Sequence, residues 1–274
     1  MKIKFLGTAA AEGFPAVFCN CDYCNALRKT GKGFRTRSQT IIDGKLLIDL
    51  PADTYMHFLQ NGIKGDEIES LLITHTHEDH FYPKELDMRG GGFSKNMKNE
   101  VINLLVPSDA SNELESLKPN AKNLLNVTIC EPYKTVVLND YKITPLPARH
   151  GYGDIVPFIY LINKDNKNFL YAHDTGYFLD EVIDYLVKNK VYLSGVSYDC
   201  CYCAIPIKDS GGHMGYDNIF RLNEKLESLG ILDTKTIKIV NHFSHNCNPT
   251  QELVEDAVCN KGYLVAYDGF EIEI

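Results

Sequence analysis

Four residues of one short segment, His75, His77, Asp79 and His80, have side chains that bind metal ions. They follow an apolar run typical of a buried strand, so a rigid element would hold the loop that carries them. Residues i and i+2 of an extended segment point the same way, so His75 and His77 can bind one ion. Asp79 and His80 can bind a second ion beside it. The alternative is a solvated loop that is merely rich in histidine, and the density of ligands favours the metal site.

Two later strand ends add ligands to this loop. His150 follows an alternating segment over 141–146 and supplies the third nitrogen that a three-ligand site with an open position needs. Asp174 follows the apolar run 169–172. A carboxylate can bridge two cations where an imidazole cannot, so we predict that Asp174 is a bridging ligand. Its neighbour His173 would point to the opposite side of the strand and is predicted to pack in the core.

Three cysteines, Cys19, Cys21 and Cys24, lie within six residues in a loop that opens with Gly13 and Pro15. Thiolates at this spacing can hold one tetrahedral zinc ion, with a fourth ligand from elsewhere in the chain. Exposed thiols or a redox pair are the alternative. The chain has nine cysteines, an odd number unevenly spread, which argues against a disulfide framework and indicates a reducing cytoplasm.

A second group of cysteines consists of Cys200, Cys201 and Cys203. Adjacent cysteines do not easily share one ion with good geometry, so free thiols are the favoured interpretation. His213 follows in a glycine-flanked loop before a predicted helix. An imidazole there can bind phosphate or protonate a leaving group.

Two further features each allow two interpretations. Asp49 ends an apolar strand, where an acid is either a turn former or a carboxylate that holds a ligating imidazole in one tautomer. Arg89 precedes the triple glycine Gly90–Gly92. Either the glycines let the backbone approach a ligand closely and Arg89 clamps an anion, or the segment is a flexible loop.

The hydrophobic periodicity predicts a mixed α/β chain, and apolar strands after residue 70 tend to end in a potential ligand, as they do in open sheets with sites at strand ends. Asp-Gly turns predict two hairpins, one around Asp43-Gly44 and one around Asp268-Gly269 within 262–274. The other predicted strands cover 3–8, 71–74, 101–107, two or three segments of 127–147, 191–198 and 237 onward. The predicted helices cover 52–62, 109–117 and 178–189.

Size and charge limit the possible functions. With 274 residues, 44% of them hydrophobic, the chain can bury a large core, and no linker divides it, so one domain over 1–274 is predicted. The formal net charge of -8 argues against a non-specific nucleic-acid binder, although metal ions can attract a small anion locally.

No stretch approaches the ~20 apolar residues of a membrane span. Lys4 and Glu12 interrupt any signal-peptide core. The sequence leaves open whether the chain forms a homodimer.

The spacing of His75 to His80 matches H-x-H-x-D-H, and in this motif the sequence resembles the metallo-β-lactamase superfamily. The resemblance implies two sheets between two layers of helices, an αββα sandwich. Within the superfamily the chain looks most like the PhnP family of cyclic phosphodiesterases, and the similarity runs nearly end to end. The motifs that carry it are Gly7-Thr8, Gly13, Pro15, Cys-x-Cys-x-x-Cys at 19–24, Pro-Leu-Pro shortly before His150, Asp174-Thr175 and His-x-x-His at 242–245.

The resemblance also implies the division of the ligands among three ions. His213 matches the additional active-site histidine of that family in position. The implied sets are His75, His77, His150 and Asp174 for one catalytic metal, Asp79, His80, Asp174 and His242 for the other, and Cys19, Cys21, Cys24 and His245 for a structural zinc held by the loop 13–35.

The implied activity is hydrolysis of a small, cyclic, anionic phosphodiester to a phosphomonoester. Two divalent ions, zinc or manganese, would activate a bridging hydroxide that attacks phosphorus. Asp79, Asp174 and His213 would be closest to the reaction, with His213 protonating the leaving alkoxide. The sequence determines neither the catalytic metals nor the natural substrate.

Three alternatives share parts of this pattern. A transfer-RNA 3′ processing nuclease has the same catalytic motif, but this acidic chain has no basic insertion that would grip RNA. A pyrroloquinoline-quinone biosynthesis protein has a similar cysteine motif, but the full ligand set favours a hydrolase. The third alternative is a non-catalytic module that metal merely stabilises, and the open face of the ligand set argues against it.

Overall fold

The structure is a computed structural model that describes residues 1–151 and 153–274. The strands of this part of the chain are β1 (Lys2–Gly7), β2 (Gln39–Ile42), β3 (Leu46–Ile48), β4 (Ser70–Leu72), β5 (Ile102–Val106), β6 (Leu125–Ile129), β7 (Val136–Leu138), β8 (Tyr141–Pro147), β9 (Phe158–Lys164), β10 (Lys167–Ala172), β11 (Gly195–Asp199), β12 (Ile237–Asn241), β13 (Tyr263–Val265) and β14 (Glu271–Glu273).

Helices of α and 3-10 type connect these strands. The α-helices are α1 (Asp22–Thr30), α2 (Thr54–Asn61), α3 (Ser111–Glu115), α4 (Pro119–Lys122), α5 (Asp180–Lys188), α6 (Tyr216–Ser228) and α7 (Gln251–Val258). The 3-10 segments are Gly65–Glu67, Pro83–Arg89, Ser108–Ala110, His245–Cys247 and Cys259–Lys261.

The strands form two sheets of seven strands each. The first has the order β14-β1-β2-β3-β4-β5-β6, and the second has the order β13-β12-β11-β10-β9-β8-β7. Strands β3 to β6 run parallel to one another, and so do β10 to β13. Because parallel strands end at the same edge, each sheet presents a row of strand ends that can carry a site.

The two sheets pack face to face with helices outside them. Phe5 and Ile42 of the first sheet share one buried apolar cluster with Tyr160 and Tyr171 of the second. A second cluster packs the outer face of the first sheet against α2 and the segment Pro83–Arg89, and a third packs the second sheet against α5, α6 and α7. The predicted αββα sandwich is confirmed.

The two predicted hairpins have different outcomes. β2 and β3 pair antiparallel around a turn at 43–45, so the first is confirmed with a turn of three residues rather than two. The second is wrong, because β13 belongs to the second sheet and β14 to the first. Asp268 lies between them and accepts hydrogen bonds from the hydroxyls of Thr8 at 2.7 Å and Thr36 at 2.5 Å. These bonds hold the Asp-Gly turn where the chain crosses between the sheets.

Two predicted elements are shorter than expected. The strand predicted over 191–198 begins only at Gly195, and the amide of Leu193 instead donates to the carbonyl of Ile231. The helix predicted over 109–117 is divided into Ser108–Ala110 and α3, and a new helix starts at Pro119, whose ring disfavours helical backbone in the residue before it.

Candidate metal centre

The predicted catalytic ligands lie together at strand ends from both sheets. The loop with His75, His77, Asp79 and His80 follows β4. His150 follows β8, Asp174 follows β10, and His242 follows β12. We call these seven residues the catalytic cluster.

Three histidines form one half of the catalytic cluster. His77 Nδ1 lies 2.9 Å from His75 Nε2 and 3.2 Å from His150 Nε2. The three nitrogens lie within 4.8 Å of one another, a separation at which one cation can contact them all. Asp174 closes this half, with Oδ1 3.6 Å from His150 Nε2 and Oδ2 3.9 Å from His75 Nε2.

The other half contains Asp79, His80 and His242 around the same Asp174 carboxylate. His80 Nε2 lies 3.3 Å from Asp79 Oδ2 and in close contact with Asp174 Oδ2. His242 Nε2 lies 3.1 Å from Asp174 Oδ2. The carboxylate of Asp174 therefore lies between both halves, which is the position that the sequence analysis predicted for a bridging ligand.

The buried carboxylates of this cluster need positive charge beside them, which protonated imidazoles supply when no metal ion is bound. Burial raises the pKa of Asp174, but the neighbouring imidazoles of His242 and His80 outweigh burial and hold this pKa well below its ordinary value. Burial lowers the pKa of His80 and His242, but the carboxylates raise both pKa values well above the ordinary range. His75 differs, because burial and the His80 charge lower its pKa well below the ordinary value. It is therefore neutral, the form that binds metals.

The residues fit divalent metal ions. Among the described residues, His80 Nε2, Asp174 Oδ2 and both ring nitrogens of His242 are buried without a partner in hydrogen-bond geometry, although they lie close to one another. Such buried polar atoms are costly unless something satisfies them. Imidazole nitrogens and carboxylate oxygens are ligands that zinc, manganese and iron accept, and a cation replaces the protons that otherwise balance the carboxylates.

Asp49 lies behind the catalytic cluster and contacts a predicted ligand. Its Oδ2 lies 2.7 Å from His80 Nδ1, and its Oδ1 accepts hydrogen bonds from the amide and hydroxyl of Thr74 at 2.8 and 2.9 Å. Of its two interpretations, the structure shows the carboxylate that orients an imidazole. With Nδ1 facing Asp49, His80 presents Nε2 to the centre of the cluster.

Asp199 is a site residue that the sequence analysis missed, because it placed the end of the strand at Tyr198. The buried Oδ2 of Asp199 lies 3.0 Å from His213 Nδ1 and 3.3 Å from His242 Nδ1, and it accepts from the amide of Asp174 at 3.1 Å. An acid at the end of an apolar strand was the available signal, since Asp49 and Asp174 occupy the same kind of position.

His213 lies at the catalytic cluster, as predicted, with Nδ1 3.4 Å from Asp174 Oδ1. Burial lowers the pKa of His213, but the charge and hydrogen bond of Asp199 raise it to about 11. Gly176 lets the His213 loop come this close, because a Cβ at Gly176 would lie 1.8 Å from the carbonyl oxygen of Gly211. His173 packs in the core as predicted, with Nε2 2.7 Å from the hydroxyl of Ser197.

Three of these strand-end residues have a left-handed backbone. The φ angle is 65° at Asp49, 50° at Asp174 and 62° at His242. Aspartate and histidine are among the residues other than glycine that adopt this conformation most often. The turn that it produces at the end of β3, β10 and β12 directs these side chains into the cluster.

The predicted structural zinc ligands, Cys19, Cys21, Cys24 and His245, form a separate cysteine cluster. Their ligand atoms lie within 4.8 Å of one another, with Cys24 Sγ 3.6 Å from His245 Nδ1. The Cys24 amide donates to Cys21 Sγ and lowers the pKa of that thiol to about 6, whereas burial raises the pKa of Cys24 to about 11. A low thiol pKa favours the thiolate that zinc requires.

The remaining cysteines and Arg89 have other surroundings. Cys200 and Cys203 are buried free thiols, and Cys201 lies within 4.8 Å of the nitrogens of His213 and His242.

The guanidinium of Arg89 donates to the carbonyls of Gly65, Asn99 and Glu100. Arg89 also lines a cavity on the outer face of the first sheet. Of the two interpretations that the sequence left open for this segment, these contacts do not favour an anion clamp at the metal site.

A cleft opens beside the catalytic cluster. It has a volume of about 570 Å³, and its walls include His77, Glu78, Asp79, Tyr82 and Arg37. Ligands of both halves therefore face a space large enough for a small molecule.

None of the helices in the described ranges is both long and apolar enough to cross a lipid bilayer.

Comparison with known proteins agrees with this architecture. A family model described as a beta-lactamase superfamily domain matches residues 47–238, and the chain belongs to this superfamily. The exodeoxyribonuclease WalJ of Streptococcus pneumoniae serotype 2 is 24% identical over 136 residues, which cover 50% of this chain and 47% of WalJ. The chain thus aligns with about half the length of the curated relatives it matches.

Two solved structures resemble the chain over nearly its whole length. A diphosphatase of the PhnP family has a TM-score of 0.74 at 20% identity and covers 100% of this chain and 98% of its own. Zinc-bound PqqB from Methylobacterium extorquens has a TM-score of 0.70 at 16% identity and covers 100% of both chains. Similarity at this level of identity shows a shared fold.

Proposed function

We propose that this chain is a metal-dependent phosphodiesterase that hydrolyses a small phosphodiester, cyclic or linear, to a phosphomonoester. The observation that carries the proposal is the Asp174 carboxylate, which lies between two groups of ligands beside an open cleft. Ligands that border a cleft leave positions for water and substrate, as catalytic metal sites require.

The two halves of the catalytic cluster would each hold one divalent ion, zinc or manganese, and share Asp174. Bound there, the ions would supply positive charge and a water of lowered pKa beside the phosphoryl group. Asp49 and Asp199 orient His80 and His242, so that the ligands are held in place before the ions bind.

His213 is the proposed general acid. Because Nδ1 faces Asp199, Nε2 is the nitrogen that can donate a proton to the leaving oxygen. The carboxylate of Asp199 keeps this proton on the ring at neutral pH. We therefore assign Asp199 as the positioning residue of His213.

The cysteine cluster would hold a structural zinc within the same domain, 1–274. Its four ligands form a closed set, and Glu12 accepts from the amide of His245 at 3.1 Å, which ties the 13–35 loop to the end of the second sheet. Thiol ligands persist in a reducing compartment, which supports the cytoplasm as the place of action.

A nuclease is the second candidate, because the chain is similar to the exodeoxyribonuclease WalJ. The net charge of -8 argues against a polyanionic substrate, since nucleic-acid affinity depends on excess positive charge. We therefore favour a small diester.

The first test is hydrolysis of 2′,3′-cyclic nucleotides by protein reconstituted with manganese or zinc, with precursor transfer RNA and linear DNA assayed alongside. Metal-dependent opening of the cyclic ester with both polymers intact supports the proposal. Cleavage of a polymer alone assigns the chain to the nucleases, and turnover of none of the three, nor of the small linear diester bis(p-nitrophenyl) phosphate, contradicts both candidates.

The role of His213 is tested by the choice of leaving group. His213→Gln is expected to slow release of an alkoxide from a cyclic nucleotide by about 10²–10⁴-fold. Release of p-nitrophenolate from bis(p-nitrophenyl) phosphate needs no proton and should fall much less. Equal losses on both substrates would contradict the role as an acid.

A further inference from the structure

The cleft beside the catalytic cluster has a neighbouring space that shares the lining residue Arg37 with it. A second space of about 240 Å³ lies along the loop that precedes the cysteine cluster, and its walls include Val17 and Phe34. The side chain of Arg37 borders both spaces, and the consecutive residues Ala52 and Asp53 border one each. We call the two spaces together the groove.

Two hydrogen bonds hold the side chain of Arg37, which lines both spaces of the groove. Its Nε donates to the carbonyl of Ala11 at 2.8 Å, and its Nη1 donates to Asp53 at 3.0 Å. The backbone behind it packs tightly, because a Cβ at Gly7 would lie 1.9 Å from the Arg37 carbonyl oxygen. The bonds found within the described residues leave Nη2 without a partner, so one donor is available to a bound molecule.

The far end of the groove is aromatic and apolar. The side chains of Phe34 and Val17 are 46% and 65% exposed. Phe34 nevertheless stands on an anchored loop, because the neighbouring Arg35 is buried and donates to the carbonyls of Pro249 at 3.0 Å and Ala266 at 2.6 Å. A ring held in this way can stack on a flat ligand at a small cost in entropy.

The charges along the groove favour an uncharged ligand group at this end. Glu12, Asp53 and Glu78 line it together with Arg35 and Arg37. Arg35 is buried and Arg37 is paired with Asp53, so little positive charge is free to bind a second phosphate.

The position of His213 indicates which part of the substrate enters the groove. His213 contacts Asp199 and Asp174 and is not among the residues that line the described groove. The ester arm that takes a proton from His213 therefore leaves from another side. The groove remains for the arm that stays on the phosphate.

We propose that the groove binds the retained arm of a nucleoside phosphodiester, with the sugar at Arg37 and the base against Phe34. This inference rests on the proposed phosphodiesterase activity and narrows its substrate class to linear diesters whose retained arm is a nucleoside.

The test compares two esters with the same leaving group. Thymidine 5′-(p-nitrophenyl) phosphate has a nucleoside as its retained arm, and methyl p-nitrophenyl phosphate has a methyl group. In the metal-reconstituted protein, kcat/KM for the thymidine ester should exceed that for the methyl ester by about tenfold or more, since stacking of a base on an aromatic side chain strengthens binding. Phe34→Ala should reduce this ratio about tenfold, mainly through KM, and weaken calorimetric binding of thymidine 5′-monophosphate.

Phe93→Ala is the matched control, since Phe93 is an aromatic residue that is 64% exposed and outside the groove. It should leave the ratio unchanged. Similar kcat/KM values for both esters in the unmodified protein would overturn the groove proposal while leaving the phosphodiesterase standing. A high ratio that Phe34→Ala does not change would overturn the placement of the base. Turnover of neither ester would contradict the proposed function itself.

Discussion

The two candidate metal clusters differ in how the chain assembles them. The catalytic cluster takes ligands from the ends of four strands that belong to both sheets. The cysteine cluster takes three ligands from residues 19–24, which are the end of one loop and the first turn of α1, and adds His245 from a 3-10 turn. The first therefore requires the complete sandwich, whereas the second joins two neighbouring loops.

They also differ in what holds the ligands. Buried carboxylates orient the histidines of the catalytic cluster, as Asp49 does for His80 at 2.7 Å. Backbone amides hold the thiols, as Ala16 does for Cys24 at 3.4 Å. On the proposed function, this difference corresponds to two tasks: we expect the open cluster to carry the chemistry and the closed one to stabilise the loop beside it.

The largest expected effect tests the catalytic cluster at its centre. Asp174→Ala removes the carboxylate that both halves share, so kcat/KM should fall by about 10³-fold or more. Metal analysis should show loss of catalytic ions while one zinc stays in the cysteine cluster. Asp184→Ala, at an exposed acid on α5, is the control. Near-normal activity with full metal content would remove Asp174 from its bridging role.

The next largest effect is expected at Asp49, which orients the ligand His80 but is not itself a proposed metal ligand. Asp49→Asn leaves every ligand in place but weakens the hold on His80, so catalytic metal affinity should fall about 10–100-fold. Titration with a competing chelator measures this loss. The zinc of the cysteine cluster should be unaffected, and an equal loss at both clusters would erase the distinction between them.

A smaller effect is expected from the cysteine cluster. Cys24→Ser removes one of four zinc ligands. A metal that binds only the native state at 100 times its Kd stabilises by about 2.7 kcal/mol, so the unfolding midpoint should fall by roughly 5–10 °C. Cys259→Ser, at an exposed thiol, should not shift it. Loss of the catalytic metals in Cys24→Ser would show that the two clusters are not independent.

The smallest expected effect is on the free energy of unfolding, at an ion pair that belongs to neither cluster. Asp43 lies 2.8 Å from Lys164 Nζ and accepts from the Tyr141 hydroxyl at 2.7 Å. Burial raises the pKa of Asp43, but these partners outweigh it and lower the pKa, so the stabilisation exists above the unfolded pKa of about 4. It is lost as pH falls through the folded value.

Asp43→Asn should therefore lower the free energy of unfolding by about 1–2 kcal/mol at pH 7. The deficit should shrink toward pH 3, as measured by urea denaturation at both pH values. A deficit of the same size at both would show that charge is not its cause.

The sequence predicted those features of the site that depend on local spacing. The ligands His75 to His80 share one loop, and the Asp43-Gly44 turn joins adjacent strands, so short-range rules apply to both. Asp199 was missed because the strand was ended one residue early, at Tyr198, and its partners His213 and His242, which would have pointed to it, meet it only in the folded protein. The second hairpin failed for the same reason, since the partners of Asp268 are Thr8 and Thr36. The groove was also beyond local rules, because it combines the 13–37 segment with the loop after β4.

The left-handed backbone at the end of three strands restricts how this protein can change. A substitute at Asp174 or His242 must supply a proposed metal ligand, a substitute at Asp49 must supply the carboxylate that orients His80, and all three must tolerate positive φ. Glutamate at position 174 keeps the carboxylate but suits the backbone poorly, whereas glycine suits the backbone and has no ligand. Few residue types meet both demands. In laboratory evolution, new activities should therefore arise through the groove and its loops, while these three positions stay as they are.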